Sequence, residues 1–276
     1  MNAAKTILIT GCSTGIGYTT AMMLKNRGHT VIATARKSED VARLQAEGFN
    51  ALQLDLADSG SINLAVEQTL ESTGGKLDAL FNNGAFGQPG AVEDLSREVL
   101  RFQFETNLFG THELTNRIIP VMRAQGHGRI IYNSSILGLI ALPFRGAYNA
   151  SKFALEGLAD TLRLELLDTG IHISLIEPGP ILSHFRQNSF ALYKQNIDTE
   201  HSVHRDKYRA MEARLQKEGA AVPFTLPAEA VAEKVVHALE AKRPKIRYYV
   251  TFPTYLFGTL KRLLPYAWLD KLLIKV

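Results

Sequence analysis

Tyr148 and Lys152 stand four residues apart in YNASK, a spacing that sets a phenol and an ammonium on the same side of a helix. The pair alone recurs by chance. Thirteen residues upstream, Ser135 ends the apolar run IIYNSS. A strand end in a parallel sheet opens on the ligand crevice, so these three polar groups could meet beside a cofactor. Near the start, TGCSTGIG places Gly11, Gly15 and Gly17 directly after an apolar run. Such a turn can be simple strand-to-helix geometry, or a cradle where amide N–H groups and a helix N-terminus face a pyrophosphate. The next strand should then choose the nucleotide. An acid about 20 residues on would bond the ribose 2′-OH of NAD. Here the strand ends Thr34-Ala35-Arg36-Lys37, with Glu39 and Asp40 only in the following helix. Two cations there are a solvated surface pair or partners for a 2′-phosphate; with the glycine turn, the reading is NADP(H).

These groups need a scaffold, and the chain supplies an alternating one. Strand-like runs TILIT, HTVIATA, ALQLDL, LDALFNN, RIIYNSS and HISLIEP are separated by helical stretches. The first helix runs from Gly15 to Arg27, and Asp58 or Ser59 could cap the third. A long one covers 96–123, broken near its end by Pro120. Apolar strand runs suit burial on both faces, so the expectation is α/β: a doubly wound parallel sheet of Rossmann type with helices on both faces. No linker divides the chain, and 1–276 reads as one domain. The 46% apolar and 21% charged composition is that of a soluble globular protein. The single cysteine, Cys12, rules out an intramolecular disulfide framework and reads as a small turn residue. No Cys/His spacing suits zinc, so no metal is expected. MNAAKTILIT does not read as a secretory signal, and no run of about 18 apolar residues exists to span a membrane. A net charge of +4 without a nucleic-acid motif argues against DNA or RNA.

Taken in order, TGCSTGIG, Asp55, NNGA at 82–85, Asn107 in FETNLFG, Ser135, YNASK and EPG at 177–179 resemble the short-chain dehydrogenase/reductase family along the whole chain. One departure is visible: the family usually reads Asn-Asn-Ala-Gly where this chain has Asn82-Asn83-Gly84-Ala85. IEPGPI and RPKIRYYVTF with LKRLLP look closest to bacterial NADP-dependent aldehyde reductases of the YbbO type, and the 17β-hydroxysteroid and retinol dehydrogenase branch is also similar. The resemblance implies that Tyr148 is the general acid of carbonyl reduction. Its phenol would be drawn from ~10 towards neutrality by Lys152 and the oxidised nicotinamide. It also implies that Lys152 bonds the nicotinamide ribose, that Ser135 holds the substrate oxygen, and that Asn107 helps hold a water linked to Lys152. Gly11, Ser13, Gly15, Ile16 and Gly17 would surround the pyrophosphate and adenosine ribose. Asp55 and Leu56 would lie at the adenine, and Asn83, Gly84 and Ala85 along the adenosine. Pro178, Gly179, Ile181 and Ser183 would border the nicotinamide.

Residues 182–226, polar and aromatic, fall where the family keeps a substrate lid. Phe185, Phe190, Tyr193 and Phe224, with Leu137 and Leu142, could line an apolar pocket or simply pack. The expected activity is reduction of apolar aldehydes or ketones. The alternatives are a steroid or retinoid-type alcohol dehydrogenase and a non-catalytic NADP-binding sensor. IRYYVTF reads as a last strand, and 254–276 as an amphipathic, basic tail. The tail is expected to be covered by its own domain or by a sister subunit of a cytoplasmic homodimer or homotetramer. Peripheral membrane contact is the less favoured reading, with Leu263, Leu264, Trp268 and Leu272 inserting beside Lys261, Arg262, Lys271 and Lys275.

Overall fold

A computed structural model describes residues 3–275. The early strands are β1 (Thr6–Ile9), β2 (Thr30–Ala35), β3 (Asn50–Gln53) and β4 (Ala79–Asn82). They are joined through α1 (Gly15–Asn26), α2 (Ser38–Ala46) and α3 (Ser59–Ser72). The second half continues with α4 (Arg97–Phe104), α5 (Thr111–Gln125), β5 (Gly128–Asn133), α6 (Gly146–Glu165) and β6 (Ile171–Glu177). After it come α7 (Phe185–Asn196), α8 (Arg205–Gln216), α9 (Glu229–Glu240) and β7 (Arg247–Tyr249). Two helices close the chain, α10 (Phe252–Leu263) and α11 (Tyr266–Leu273).

The seven strands form one sheet in the order β3-β2-β1-β4-β5-β6-β7, and every neighbouring pair is parallel. Side chains alternate across a strand. Ile7 and Ile9 enter a core shared with α1, α2 and α9. Leu8 enters the opposite core, with α3, α5 and α6. Both faces are therefore covered, and the architecture is the single-domain Rossmann-type fold expected. Asp58 caps α3, its carboxylate accepting the Gly60 N–H at 2.8 Å. Removing such a cap typically costs about 1 kcal/mol.

Two expectations need correction. The stretch 96–123 is not one α-helix that Pro120 breaks. Between α4 and α5, residues Glu105–Gly110 wind as a π-helix, and Pro120 lies inside α5, which runs on to Gln125. A Cβ on Gly110 would fall 1.7 Å from the Leu56 carbonyl oxygen. Glycine thus lets the π-turn lie directly on the backbone after β3. The last strand is also shorter than IRYYVTF suggested. It pairs with β6 over three residues, and Phe252 already begins α10. Cys12 is fully buried, donates to the Ile9 carbonyl at 3.3 Å, and burial pushes its thiol up to about 12. It is inert packing.

Candidate active site

The strand order reverses between β1 and β4, which opens a crevice at their carboxyl ends. Gly11 and Gly15 have φ of 71° and 59°, the left-handed region that a Cβ makes unfavourable. A Cβ on Gly17 would fall 2.2 Å from the Gly11 carbonyl oxygen, so α1 packs on the turn that precedes it. Thr14, extended at the α1 N-cap, makes no side-chain cap bond, and the first turn holds no acid. Its amide donors therefore keep the character of an anion site. Arg43 holds the turn from outside, donating to the Ser13 carbonyl at 2.6 Å. Ser183 comes to the opposite lip, its Cβ 3.3 Å from where a Gly15 Cβ would stand.

The turn after β4 is stitched to the glycine turn. Thr10 Oγ1 accepts the N–H groups of Asn83 and Gly84 at 2.9 and 2.7 Å. Asn83 Nδ2 donates back to the Thr10 and Gly11 carbonyls at 2.8 and 3.2 Å. A Cβ on Gly84 would meet Leu56 Cδ1 at 3.1 Å and Thr10 Oγ1 at 3.2 Å. The unusual Gly84-Ala85 order thus puts the residue without a side chain where the two turns touch. From Asn83 the contacts continue: Asn133 Nδ2 donates to Asn83 Oδ1 at 2.9 Å, and Lys152 Nζ donates to the Asn133 carbonyl at 2.7 Å. One chain of hydrogen bonds links the glycine turn to Lys152. Thr10, Arg43 and Asn133 were missed in the sequence. An amide inside the apolar β5 run was the one available sign.

Tyr148 lies in the first turn of α6, and Lys152 follows one turn later, almost fully buried. The Ser135 hydroxyl acts on the Tyr148 phenol, and Ser135 Oγ accepts the Leu137 N–H at 3.1 Å. Lys152 Nζ lies 5.6 Å from the Tyr148 ring centre. Burial pushes the phenol up to about 12, with the Ser135 hydroxyl pulling it back. Burial also pulls Lys152 down to about 8, against the carboxylate of Glu156. The protein alone therefore holds Tyr148 protonated. The lowering towards neutrality expected from the sequence calls on the oxidised nicotinamide as well as Lys152, and the protein alone does not supply it, because burial disfavours phenolate. Asn107, in the π-turn, exchanges hydrogen bonds with the Phe86 backbone at 3.1 and 2.9 Å and reaches Ser151 Oγ at 3.2 Å.

A second group, also missed, lies behind Lys152. Arg247 of β7 bridges Glu156 and Glu177, and its other nitrogen reaches Asp160 at 2.6 Å. Glu177 directly precedes Pro178-Gly179. Burial and the charge of Glu156 raise its carboxyl to about 8, against the pull of Arg247. One cation among three acids leaves a proton on the carboxylates near neutrality. Gly179 is pressed against β7's continuation, where its Cβ would meet Thr251 Oγ1 at 2.1 Å. Ile181 pairs with Leu226 in an isolated bridge.

Of the remaining candidates, Arg36 is exposed and has no ion-pair partner among the described residues, while Lys37 pairs with Glu39 at 3.2 Å. Asp55 Oδ1 accepts the Ala57 N–H at 2.9 Å, and Leu56 is buried. The Phe185 ring lies 5.3 Å from the Tyr148 ring. Leu142, Leu137 and Tyr148 share an apolar cluster with Phe257 of α10 and Leu269 of α11. Phe190 and the fully buried Tyr193 pack instead with Tyr208, and Phe224 rests on Phe252 at 4.9 Å.

Residues 5–194 match the model of the short chain dehydrogenase family. The chain is 43% identical to the Escherichia coli oxidoreductase YbbO over 98% of its length and 94% of that protein's. It is 35% identical to human 17-beta-hydroxysteroid dehydrogenase type 1, over 90% of this chain and 78% of that one. The crystal structure of a Streptomyces avermitilis short-chain dehydrogenase superposes with a TM-score of 0.76 at 27% identity, covering 93% of this chain and 91% of that one. With its parallel sheet, its glycine turn and Tyr148, Lys152 and Ser135 gathered at one crevice, the chain belongs to the short-chain dehydrogenase/reductase family of oxidoreductases.

Proposed function

We propose that this oxidoreductase is an NADP(H)-dependent reductase of apolar aldehydes or ketones. The observation that carries the reading is the buried Ser135 and Lys152 beside the half-buried Tyr148, under an apolar wall of Phe185, Leu137 and Leu142. A phenol held protonated is a proton donor, and a donor is what a carbonyl oxygen needs as it becomes an alcohol. Ser135 orients that oxygen, and Lys152 sets the field around the phenol. The intact set favours turnover over a sensor role. The nicotinamide, when bound, supplies the hydride. Gly11, Ser13, Gly15, Ile16 and Gly17 would hold the pyrophosphate side. Asp55, Leu56, Asn83, Gly84 and Ala85 would hold the adenosine side, and Pro178, Gly179, Ile181 and Ser183 the nicotinamide side. NADPH consumption with a panel of aliphatic aldehydes and ketones tests the reading. A protein that binds NADPH yet reduces none of them refutes it.

Arg36 carries the choice of nucleotide. It closes β2 without an acid partner, where a 2′-phosphate can take a charge-assisted bond. Arg36→Ala should weaken NADPH by about 1.5–3 kcal/mol, roughly 10–100-fold, and leave NADH nearly unchanged. Titration of both nucleotides by fluorescence decides it; equal losses, or a wild type that prefers NADH, would remove Arg36 from the assignment.

Among the described residues no helix is long and apolar enough to cross a membrane. The buried side of α10 and α11 covers the loop after Ser135, yet Leu263, Tyr266, Trp268 and Ile274 remain 65–78% exposed. We read that outer row as an interface with a second copy in a cytoplasmic dimer or tetramer. Light scattering should show an oligomer for wild type and a monomer for Leu263→Glu/Trp268→Glu. A monomeric wild type that sediments with anionic vesicles would replace this reading with a membrane one.

A further inference from the structure

Arg145 stands at the N-cap of α6, three residues before Tyr148. It is half-buried, and among the described residues its guanidinium has neither an acid partner nor a hydrogen bond. The backbone around it is held firmly. Gly90 N donates to the Phe144 carbonyl at 3.0 Å, and Gly90 pairs with Arg145 in an isolated bridge. Phe144 has φ of 59°, a conformation that bulky side chains rarely take and that recurs at functional sites.

Two more arginines come from the helices over the crevice. The Phe144 ring meets Tyr208 of α8 edge-on at 5.5 Å and packs in one cluster with Met211. Arg214 lies three residues beyond Met211, hence on the same side of α8. On α7, Arg186 follows the Phe185 that covers Tyr148. It donates to the carbonyls of Lys217 and Gly219, just past α8. Burial and the charge of Arg214 push Arg145 down to about 10. Burial and Arg186 likewise lower Arg214. The carboxylates of α8 and of the 92–94 turn are committed elsewhere, while Glu218, exposed beyond α8, has no partner among the described residues. Glu212 takes Tyr193 and Lys194 at 3.0 and 2.8 Å. Asp94 takes Ser202 at 2.6 Å and also Tyr208. Glu93 takes His204. Three like charges gathered about the half-buried Arg145, with Arg214 at the exposed rim, are unfavourable unless a ligand supplies an anion.

We infer that Arg145, with Arg214 and Arg186 beyond it, forms an oxyanion subsite, and that the substrate is an apolar carbonyl compound bearing a carboxylate or phosphate head. This rests on the carbonyl-reductase reading, and it fits one long molecule: the carbonyl at Tyr148, the apolar body along Phe185, the head at the arginines.

The test uses ligands that cannot react. Saturated alkyl carboxylates, alkyl phosphates and alcohols of matched chain lengths are dialysed against the NADPH-loaded full chain. At the best length, at least one anion class should bind about tenfold or more tightly than the alcohol, and the better of the two names the head group. Arg145→Gln should abolish that advantage without weakening the alcohol, and Arg145→Lys should restore part of it. Arg214→Gln, on an exposed stretch of helix, should reduce it as well. NADPH affinity in each variant certifies the fold. Alcohols that bind as tightly as the anions at every length would overturn the subsite, as would an Arg145→Gln loss shared equally by alcohols and anions. If the anions bind as expected while no carbonyl compound turns over, the subsite stands and the reductase reading falls.

Discussion

Replacing Tyr148 with phenylalanine should leave a folded, NADPH-binding protein whose carbonyl reduction is slower by about 10²–10⁴-fold, the usual worth of a positioned general acid. The substitution removes one hydroxyl. The ring keeps its contact with Phe185 and its place among Leu137 and Leu142, and the loss inside the protein is the influence of the Ser135 hydroxyl on the phenol. The wild-type pH profile should carry the same signature. With the free-protein phenol pushed up to about 12, Tyr148 is protonated throughout the neutral range. Reduction, which consumes that proton, should stay nearly flat there. Alcohol oxidation, which needs phenolate, should rise with pH. Single-turnover reduction, nucleotide affinity and the two pH profiles check this together. A Tyr148→Phe protein that reduces aldehydes at near wild-type rates would remove the phenol from the chemistry.

The second large effect is on stability. Arg247→Met should cost about 3–5 kcal/mol near pH 8, because it strands buried carboxylates rather than deleting a pair. Glu177 has no exposed side-chain surface, and one oxygen each of Glu156 and Glu177 is buried without a partner even with the arginine present. The sign with pH follows from proton counting. Glu177 titrates near about 8 in the fold, above the ordinary carboxylate range, so the folded chain binds more protons than the unfolded one between those limits. Stability from this group is present at low pH and declines as pH rises through the window. Without the guanidinium the carboxyls should rise further and the decline should steepen. Denaturant melts at about pH 5 and pH 8 should show the larger deficit at the higher pH, and a Glu177→Gln change in the Arg247→Met background should recover part of it. A deficit under about 1 kcal/mol, equal at both pH values, would make Arg247 an ordinary surface residue.

The sheet and the polar trio were readable because their signals are local. Apolar runs of strand length recur between helical stretches, and Tyr148 and Lys152 announce a shared face by spacing alone. The rest depended on distance in the sequence. Arg247 meets Glu156 only because β7 is added beside β6, with the two residues 91 positions apart in the chain. Asn133 matters through Asn83, in the turn after a neighbouring strand, and Arg145 through helices that no periodicity could orient. Among the six apolar side chains expected at the pocket, Phe185, Leu137 and Leu142 reach the Tyr148 ring or its cluster, while Tyr193 and Phe190 serve the packing of α7 on α8. Residue type does not distinguish a wall from a wedge.

The π-turn at Glu105–Gly110 has a meaning for how such a chain can change over generations. A π-turn holds one residue more than the α-turn it replaces. Dropping a residue there would open no gap, since the helix would simply close into regular winding. The two flanks would keep nearly their present rotation, because the π-turn already spends about one residue more than an α-turn on the same rotation. A second deletion would be different, swinging one flank by roughly 100° against the other. Beyond the turn, α5 is fixed to the sheet by Leu114, Ile118 and Met122, so that swing would fall on the preceding part. Gln103 would be carried away from the Phe86 and Gln88 backbone atoms that it now holds at 2.8 Å. The turn thus gives this helix room to lose one residue and no more, whereas the stretches between α7, α8 and α9 can absorb length changes without turning anything in the sheet.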